Sequence, residues 1–525
     1  MQRQRLLILE SYPTFWMGLF LFSGFFLNLG GFPLFDVDEG AFSEATREML
    51  ESGNWSATYL NGEPRYDKPI FTYWMQALAS LTFGHSEWAL RLHSAIAALL
   101  WAFAIYKFTR ELCDKASATF AVLIFSTTFW ITLIGKAATA DSIFNLFICL
   151  TLLDIYRYSV SKQPLIVLRV WFWMSLGLLT KGPVAVLIPV LVSLPFYLSI
   201  GQWHLWRQAA FTLSGWALML ATVSPWLYFV WQDQGLGFFE GFILDHNLNR
   251  FSNTREGHGG VWYYYLVAIP VLTLPYTGLL LAMMRRGRKL SLDPLDRFMV
   301  LWFSVVFVLV SLSETQLPHY VLYGFTPLII LMARHWGANS QQLWLLPAQF
   351  ALYALVVTLV LLVHFADLTF NNPYEMAIYQ SAQKYIDISF VLALICSVAI
   401  TLLISMSKAA TIEKLVLSGL VQTLFVSLFF IPLIADLQQK PVKEAAIYAK
   451  SNGLQVEAFK IDTPSFSFYA EQITPASTSL DPGSVVLTRI DKLNELNETT
   501  GDLRYETLFE AQGVLLLKLG KSQKN

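Results

Sequence analysis

Residues 14–35 read TFWMGLFLFSGFFLNLGGFPLF, with no charged position, and residues 36–39 then read Asp-Val-Asp-Glu. A helix rises about 1.5 Å per residue, so about 20 residues cross about 30 Å of hydrocarbon. The run is long enough to span a bilayer. Arg3 and Arg5 precede it, but a cleaved signal peptide has a shorter apolar region and a small-residue cleavage site. We therefore read 14–35 as a retained first span that delivers Asp36, Asp38 and Glu39 to the far side of the membrane.

Composition supports that reading. The 525-residue chain is 55% hydrophobic, 15% aromatic and 14% charged, against about 25% charged residues in an ordinary soluble domain. Its mean hydropathy is +0.49. Most of this surface faces something other than water. A net charge of -1 offers no basic face and excludes nucleic acid as a partner. Cys113, Cys149 and Cys396 lie far apart, form neither a disulfide framework nor a metal-ligand spacing, and read as small apolar filler.

Apolar runs of spanning length recur near 14–35, 86–107, 116–134, 138–157, 167–180, 183–200, 209–231, 262–284, 298–313, 318–334, 343–364, 385–405 and 412–435, about thirteen in all. With the N-terminus cytoplasmic, the inner segments collect Arg3 and Arg5; Lys107, Arg110 and Lys115; Arg157, Lys162 and Arg169; Arg207; Arg285, Arg286, Arg288 and Lys289; Arg334; and Lys408 with Lys414. The opposite loops are poorer in positive charge, which is the positive-inside bias. An odd number of spans leaves the C-terminus outside. From about Asp436 charges return. Val442–Ser451 predicts a helix closed by Gly453, while Val456–Asp462, Ser484–Ile490 and Gly513–Leu519 predict strands.

The unusual residues then share one side. In the long outer loop 36–85, Phe42, Ala45, Met49 and Leu50 fall on one helical face, so an amphipathic helix lying in the membrane interface is expected. Asp38 sits where that helix begins. It can cap the helix, and the helix N-terminus holds such a carboxylate ionised, so capping and chemistry are compatible. Asp141 opens the fourth span and Lys181 lies between two spans in Leu179-Thr-Lys-Gly-Pro183. Capping and snorkelling are open to them, but charges at a membrane boundary are otherwise paired or face a wet cavity, which makes both site candidates. Later outer loops carry Asp245-His246-Asn247 with Arg250, then Trp262-Tyr-Tyr-Tyr265, and Gln316-Leu-Pro-His-Tyr320. No phosphate-binding lysine loop, HExxH zinc motif or nucleophile elbow is present. A group that arrives already activated fits better than a nucleotide cofactor.

The order of these motifs resembles a known family. Asp38-Glu39, Glu48-Met-Leu-Glu-Ser-Gly-Asn-Trp55, Leu60-Asn-Gly62, Arg65-Tyr-Asp-Lys-Pro69, Asp141, Thr180-Lys-Gly-Pro183, Asp245-His246 to Arg250-Phe251, and Leu317-Pro-His-Tyr320 are similar to the bacterial aminoarabinose (4-amino-4-deoxy-L-arabinose) lipid A transferases and the wider protein-mannosyltransferase-like glycosyltransferases. The resemblance covers roughly the first two-thirds of the chain. It implies an all-α polytopic membrane protein of GT-C type with about thirteen transmembrane helices. Residues 1–435 would form the transmembrane domain, with 36–85 its outer catalytic loop, and 436–525 a small periplasmic α/β domain. It also implies an inverting glycosyltransferase of the bacterial inner membrane that moves a pentosyl or hexosyl group from a polyprenyl (undecaprenyl) phosphate carrier to lipid A or another envelope acceptor. By the family pattern Asp38, Glu39 and Asp141 are the catalytic or cavity acids. Lys68, Lys181, Arg250, Tyr66 and Tyr320 would bind donor or phosphate. Asp67 with His246 would match a divalent-metal pair, Zn or Mg. The chain departs from the pattern in two places: Asp67 stands where the arabinosyl branch often has Glu, and Gln316 where many relatives have Lys.

The chemistry is coherent. Glycosyl transfer passes through an oxocarbenium-like state with charge building on the leaving phosphate. Cations near that phosphate, and a carboxylate near the ring or acceptor, answer both needs. A protein O-mannosyltransferase-like activity is the alternative acceptor class. A lipid-linked saccharide flippase is the alternative function; it would carry its ionisable groups near the midplane, whereas here they gather on one side.

Overall fold

The computed structural model describes residues 9, 11–248, 260–285, 287, 293–336, 342–477, 480–500 and 504–520; of the site residues named above, Arg250 and the side chain of His246 lie outside them. The chain is a multi-pass helical bundle. Among the described residues, eight helices are long and apolar enough to cross a membrane: Glu87–Leu112, Asp141–Ser161, Pro164–Lys181, Leu213–Leu244, Pro294–Ser311, Leu343–Phe365, Ile388–Met406 and Thr411–Gln438. Shorter apolar helices cover Pro13–Phe26, Lys115–Thr127 and Val184–Ser199. The predicted runs 262–284 and 318–334 are broken. The first divides into Tyr264–Leu272 and Thr277–Met284, around Pro275, which lacks the N–H a continuous helix needs. The second begins as a tight 3-10 turn, Pro318–Gly324, before the helix Phe325–His335.

The deciding stretch itself stops earlier than its apolarity predicts. Its helix ends at Phe26. Asn28 then takes a left-handed conformation, φ 59°, and residues 27–35 run without regular structure. Backbone carbonyls freed in this way must find partners in a dry interior. Arg91, fully buried on Glu87–Leu112, supplies them, donating to the carbonyls of Leu29, Phe32 and Pro33 at 2.8–3.1 Å. Its guanidinium carbon also lies 4.0 Å from the centre of the Phe32 ring.

The chain then enters the helix Asp38–Ser52, closed by Gly53 at φ 70°. Asp38 is its first helical residue, not its cap, and no side chain caps this end. The expected helix is there, but its polar residues are covered as well as its apolar ones: residues 39–49 are all buried. One face packs with Ile70, Tyr73 and Ala77, and Pro464–Ala470 covers another. Glu44 and Arg47, which lie off the apolar face, form a buried pair at 2.6 Å. Nothing local in the sequence announces a cover that lies more than 400 residues away.

The last segment forms a four-stranded sheet. Numbering the strands along the chain, β1 (Tyr59–Leu60) and β2 (Glu63–Pro64) make a hairpin in the first loop, and β3 (Val456–Ala458), β4 (Val485–Arg489), β5 (Tyr505–Ala511) and β6 (Val514–Leu519) build the sheet in the order β3-β4-β6-β5. β3 and β4 are parallel, the other pairs antiparallel. The helix Lys440–Ser451 packs on it through Val442, Ala445 and Ala449. β3 is shorter than predicted because Lys460 turns left-handed, φ 51°. β5, half-exposed and interrupted by a register shift at Thr507/Phe509, lacks the apolar alternation that would have announced it. This unit sits on the first loop: Tyr469 donates to Glu87 at 3.0 Å, and Ser467 to Asn61 at 2.7 Å.

Replacing Arg91 with Ala strands the Glu39 carboxylate and three carbonyls. Removing one partner of a buried ion pair costs about 3–5 kcal/mol, so R91A is expected to unfold at much lower temperature in detergent. The double variant R91A/E39A should lose less than the two single losses added together, as a double-mutant cycle of thermal melts will show.

Candidate functional site

Lys181 is the last residue of Pro164–Lys181. Gly182, at φ 78°, turns the chain sharply and the next helix begins at Val184, so the ammonium is fixed at a corner of the bundle. Its Nζ donates to Asp141 Oδ1 at 2.5 Å and to the Tyr323 hydroxyl at 3.0 Å. Asp141, the first residue of Asp141–Ser161, also accepts from Thr139 Oγ1 at 3.2 Å. His319 Nε2 stands 3.9 Å from the same Asp141 oxygen. The rings of Tyr320 and Tyr323 face the ammonium at 5.8 and 5.5 Å, within cation–π range. Both charges of the pair are buried, so each compensates the other's desolvation.

The first loop supplies the other wall. Asn61 and Gly62, with φ 53° and 80°, make the tight turn that β1 and β2 require. Glu48 accepts their amide hydrogens at 2.6 and 3.1 Å, which ties the hairpin to the Asp38 helix. Beyond the hairpin Arg65 donates to Asp67 Oδ2 at 2.9 Å and to the Tyr73 hydroxyl at 3.1 Å, and Lys68 Nζ donates to the Asp67 carbonyl at 3.1 Å. Asp38 and Lys68 are within electrostatic range of His319, and Lys68 of Asp141 as well. The Asp38 carboxylate is exposed.

The structure therefore brings Asp38, Lys68, Asp141, Lys181 and Tyr320 together. Glu39 is built into the frame instead. Its Oε1 accepts from Arg91 Nε at 2.9 Å and the Ala138 amide at 2.6 Å, and its Oε2 from Arg91 Nη2 at 2.7 Å and the Phe35 amide at 2.8 Å. Tyr66 packs edge-on to Phe238, ring centres 6.2 Å apart, over Gly241, where a Cβ would stand 2.5 Å from the ring. Gln316 turns its amide to the carbonyls of Ser311 and Ser313 at 3.1 and 3.2 Å, holding its own loop. Among the described residues no three His, Cys, Asp or Glu side chains converge as a metal site. Asp67 already engages Arg65, so a divalent ion there would have to displace the guanidinium. The side chain of His246, the other half of the expected metal pair, lies outside the described residues. Sequence reasoning missed Arg65, His319 and Tyr323 as site residues. His319 and Tyr323 are four positions apart at the entry to an apolar run, which is the signal that could have found them.

Comparison with known proteins follows this geometry. The structure aligns with the crystal structure of ArnT from Cupriavidus metallidurans bound to undecaprenyl phosphate at a TM-score of 0.78, covering 97% of this chain and 98% of that one at 19% identity. The chain has the ArnT fold. Residues 67–229 match the family described as dolichyl-phosphate-mannose-protein mannosyltransferase. The undecaprenyl phosphate-alpha-4-amino-4-deoxy-L-arabinose arabinosyl transferase 2 of Proteus mirabilis is 29% identical over 61% of this chain and 59% of its own length. The corresponding transferase of Edwardsiella ictaluri is 30% identical over 61% and 59%. The chain thus spans about three-fifths of the length of the curated relatives it matches. The resemblance read from Asp38 to Tyr320 is borne out.

One titration beside the site is testable. Burial pushes the Asp36 carboxyl up to about 7, against hydrogen bonds from Ser465 that pull it down. A folded-state value above the unfolded one means the native protein holds the proton more tightly. Stability from this group is therefore present at low pH and lost as pH rises through about 7. Asp36→Asn removes the titration, so thermal melts should show the variant's midpoint falling less than the wild type's between about pH 5 and pH 8.

Proposed function

We propose that this chain is a glycosyltransferase of the bacterial inner membrane, which takes a sugar, aminoarabinose in the relatives' case, from undecaprenyl phosphate and passes it with inversion to lipid A at the periplasmic face. The observation that carries the reading is one chamber: the buried Lys181–Asp141 pair at 2.5 Å, with His319, Lys68 and Asp38 in electrostatic range, in the fold of a transferase whose crystal structure holds undecaprenyl phosphate. The sugar's C1–O bond to the carrier phosphate breaks as an acceptor oxygen bonds C1 from the opposite face, and the carrier leaves as its phosphate. An ammonium has three N–H donors. Asp141 and Tyr323 take two of those on Lys181, and the third is directed to the departing phosphate together with Lys68. Gln316, where relatives carry Lys, leaves that task to these two. Asp38 accepts the proton when the acceptor is a hydroxyl, whereas an anionic lipid A phosphate needs no such base.

Thirteen crossings, N-terminus cytoplasmic and C-terminus periplasmic, belong to the same proposal, with 1–435 as the membrane domain and 436–525 as the periplasmic one. The eight long and three short helices, with the two broken ones, support the count. The contact between the last segment and the first outer loop supports the parity, because both must lie on one side.

The match of residues 67–229 to protein mannosyltransferases favours a protein hydroxyl as the second acceptor reading. Mass spectrometry of lipid A and of secreted proteins, with and without the chain, separates the two: the molecule that loses a sugar is the acceptor. In a purified assay Asp38→Asn is expected to slow transfer by about 10²–10⁴-fold with folding intact. Lys68→Ala should lower kcat/KM for the lipid donor by about 10²–10³-fold. Near-normal turnover in D38N would remove that carboxylate from the reaction.

A further inference from the structure

We infer that Ser465, in the C-terminal unit, is a positioning residue for the transfer reaction, fixing through Asp36 the start of the helix that carries Asp38. The inference rests on the proposed transferase reading. It is carried by a contact between residues 429 positions apart. The Ser465 amide donates to Asp36 Oδ1 at 2.9 Å and its hydroxyl donates to Asp36 Oδ2. Ser465 is 1% exposed. It lies in the first turn of Pro464–Ala470, where helix amide hydrogens have no partner within the helix. Asp36 supplies that partner from the first loop.

The same carboxylate stands two residues before Asp38, where the chain enters the helix through bonds from the Glu39 and Gly40 amides to the Phe35 carbonyl at 3.0 and 3.3 Å. The Asp36 amide is held in turn by Gln439 at 3.2 Å. Gly40 completes the fit: a Cβ there would run into Asp36 Oδ1 and stand 2.6 Å from the Ser465 nitrogen. The two segments approach closely because that side chain is missing. Further contacts keep the unit seated: the Leu34 amide donates to the Tyr469 hydroxyl at 2.8 Å, Lys443 pairs with Glu87, and the Thr474 amide donates to Asn61 at 3.3 Å. Ser465 touches no group of the chamber, so its action is on where Asp38 stands. Misplacement of a reacting group by about 1 Å can cost about 10²-fold in rate.

The test uses the full-length purified protein, an undecaprenyl phosphate-linked sugar as donor, and undecaprenyl phosphate as a binding probe. Ser465→Ala removes the hydroxyl and keeps the amide; Ser465→Thr keeps both. S465A should lower kcat by about 10- to 100-fold while KM and the Kd for undecaprenyl phosphate stay within twofold (about the scatter of such assays). S465T should recover most of the rate. Hydrogen exchange at the amides of residues 36–42 should rise in S465A and return in S465T. Gly40→Ala, which removes no hydrogen-bonding group, should give the same loss of kcat and serves if S465A folds poorly. A wild-type kcat in S465A, or equal loss of kcat and probe affinity without recovery in S465T, overturns the inference. Failure of the transferase reading is distinguishable, since D38N would then match the wild type; the exchange pattern at 36–42 decides the clamp on its own.

Discussion

One guanidinium organises the end of this bundle that carries Asp38. Every N–H of Arg91 is used, on Glu39 and on the carbonyls of Leu29, Phe32 and Pro33. A charge at this depth is tolerable only when paired and fully hydrogen-bonded. Because Glu39 also accepts from the Phe35 and Ala138 amides, four chain segments converge on a single ion pair: the end of the first helix, the Asp38 helix, the span Glu87–Leu112 and the turn before Asp141. Two acids of the chamber, Asp38 and Asp141, are thus held to one reference point. Adjacent carboxylates divide the labour, Glu39 locked in and Asp38 left exposed.

Much of this could be read in the sequence. Spans are set by local apolarity and loop charge, so their positions and the gathering of Asp38, Lys68, Asp141 and Lys181 on one side follow from the order of residues. Boundaries set by tertiary partners do not. Residues 27–35 look like membrane because they are apolar, yet a charged side chain on another helix terminates the helix before them. The Asp38 helix reads as amphipathic because its pattern is so, but its polar face is closed by Pro464–Ala470 and by the internal Glu44–Arg47 pair. β5 escaped because its cross-strand partners, not its own alternation, hold it.

The chamber itself is electrostatically economical. Asp141 neutralises Lys181, so no bare cation is left buried. Tyr320 and Tyr323 line the ammonium with ring faces that tolerate its charge, and the Tyr323 hydroxyl also accepts one of its hydrogens.

The seam between Asp36 and Ser465 has a consequence for biosynthesis. The loop that bears Asp38 leaves the ribosome early, whereas the residues that close over it come from the far end of the chain. Loop closure over such a separation is slow to form. The Asp38 helix therefore acquires its finished seat only after residues 464–470 have been made, and a chain that stops short of them carries Asp38 without the contacts that aim it.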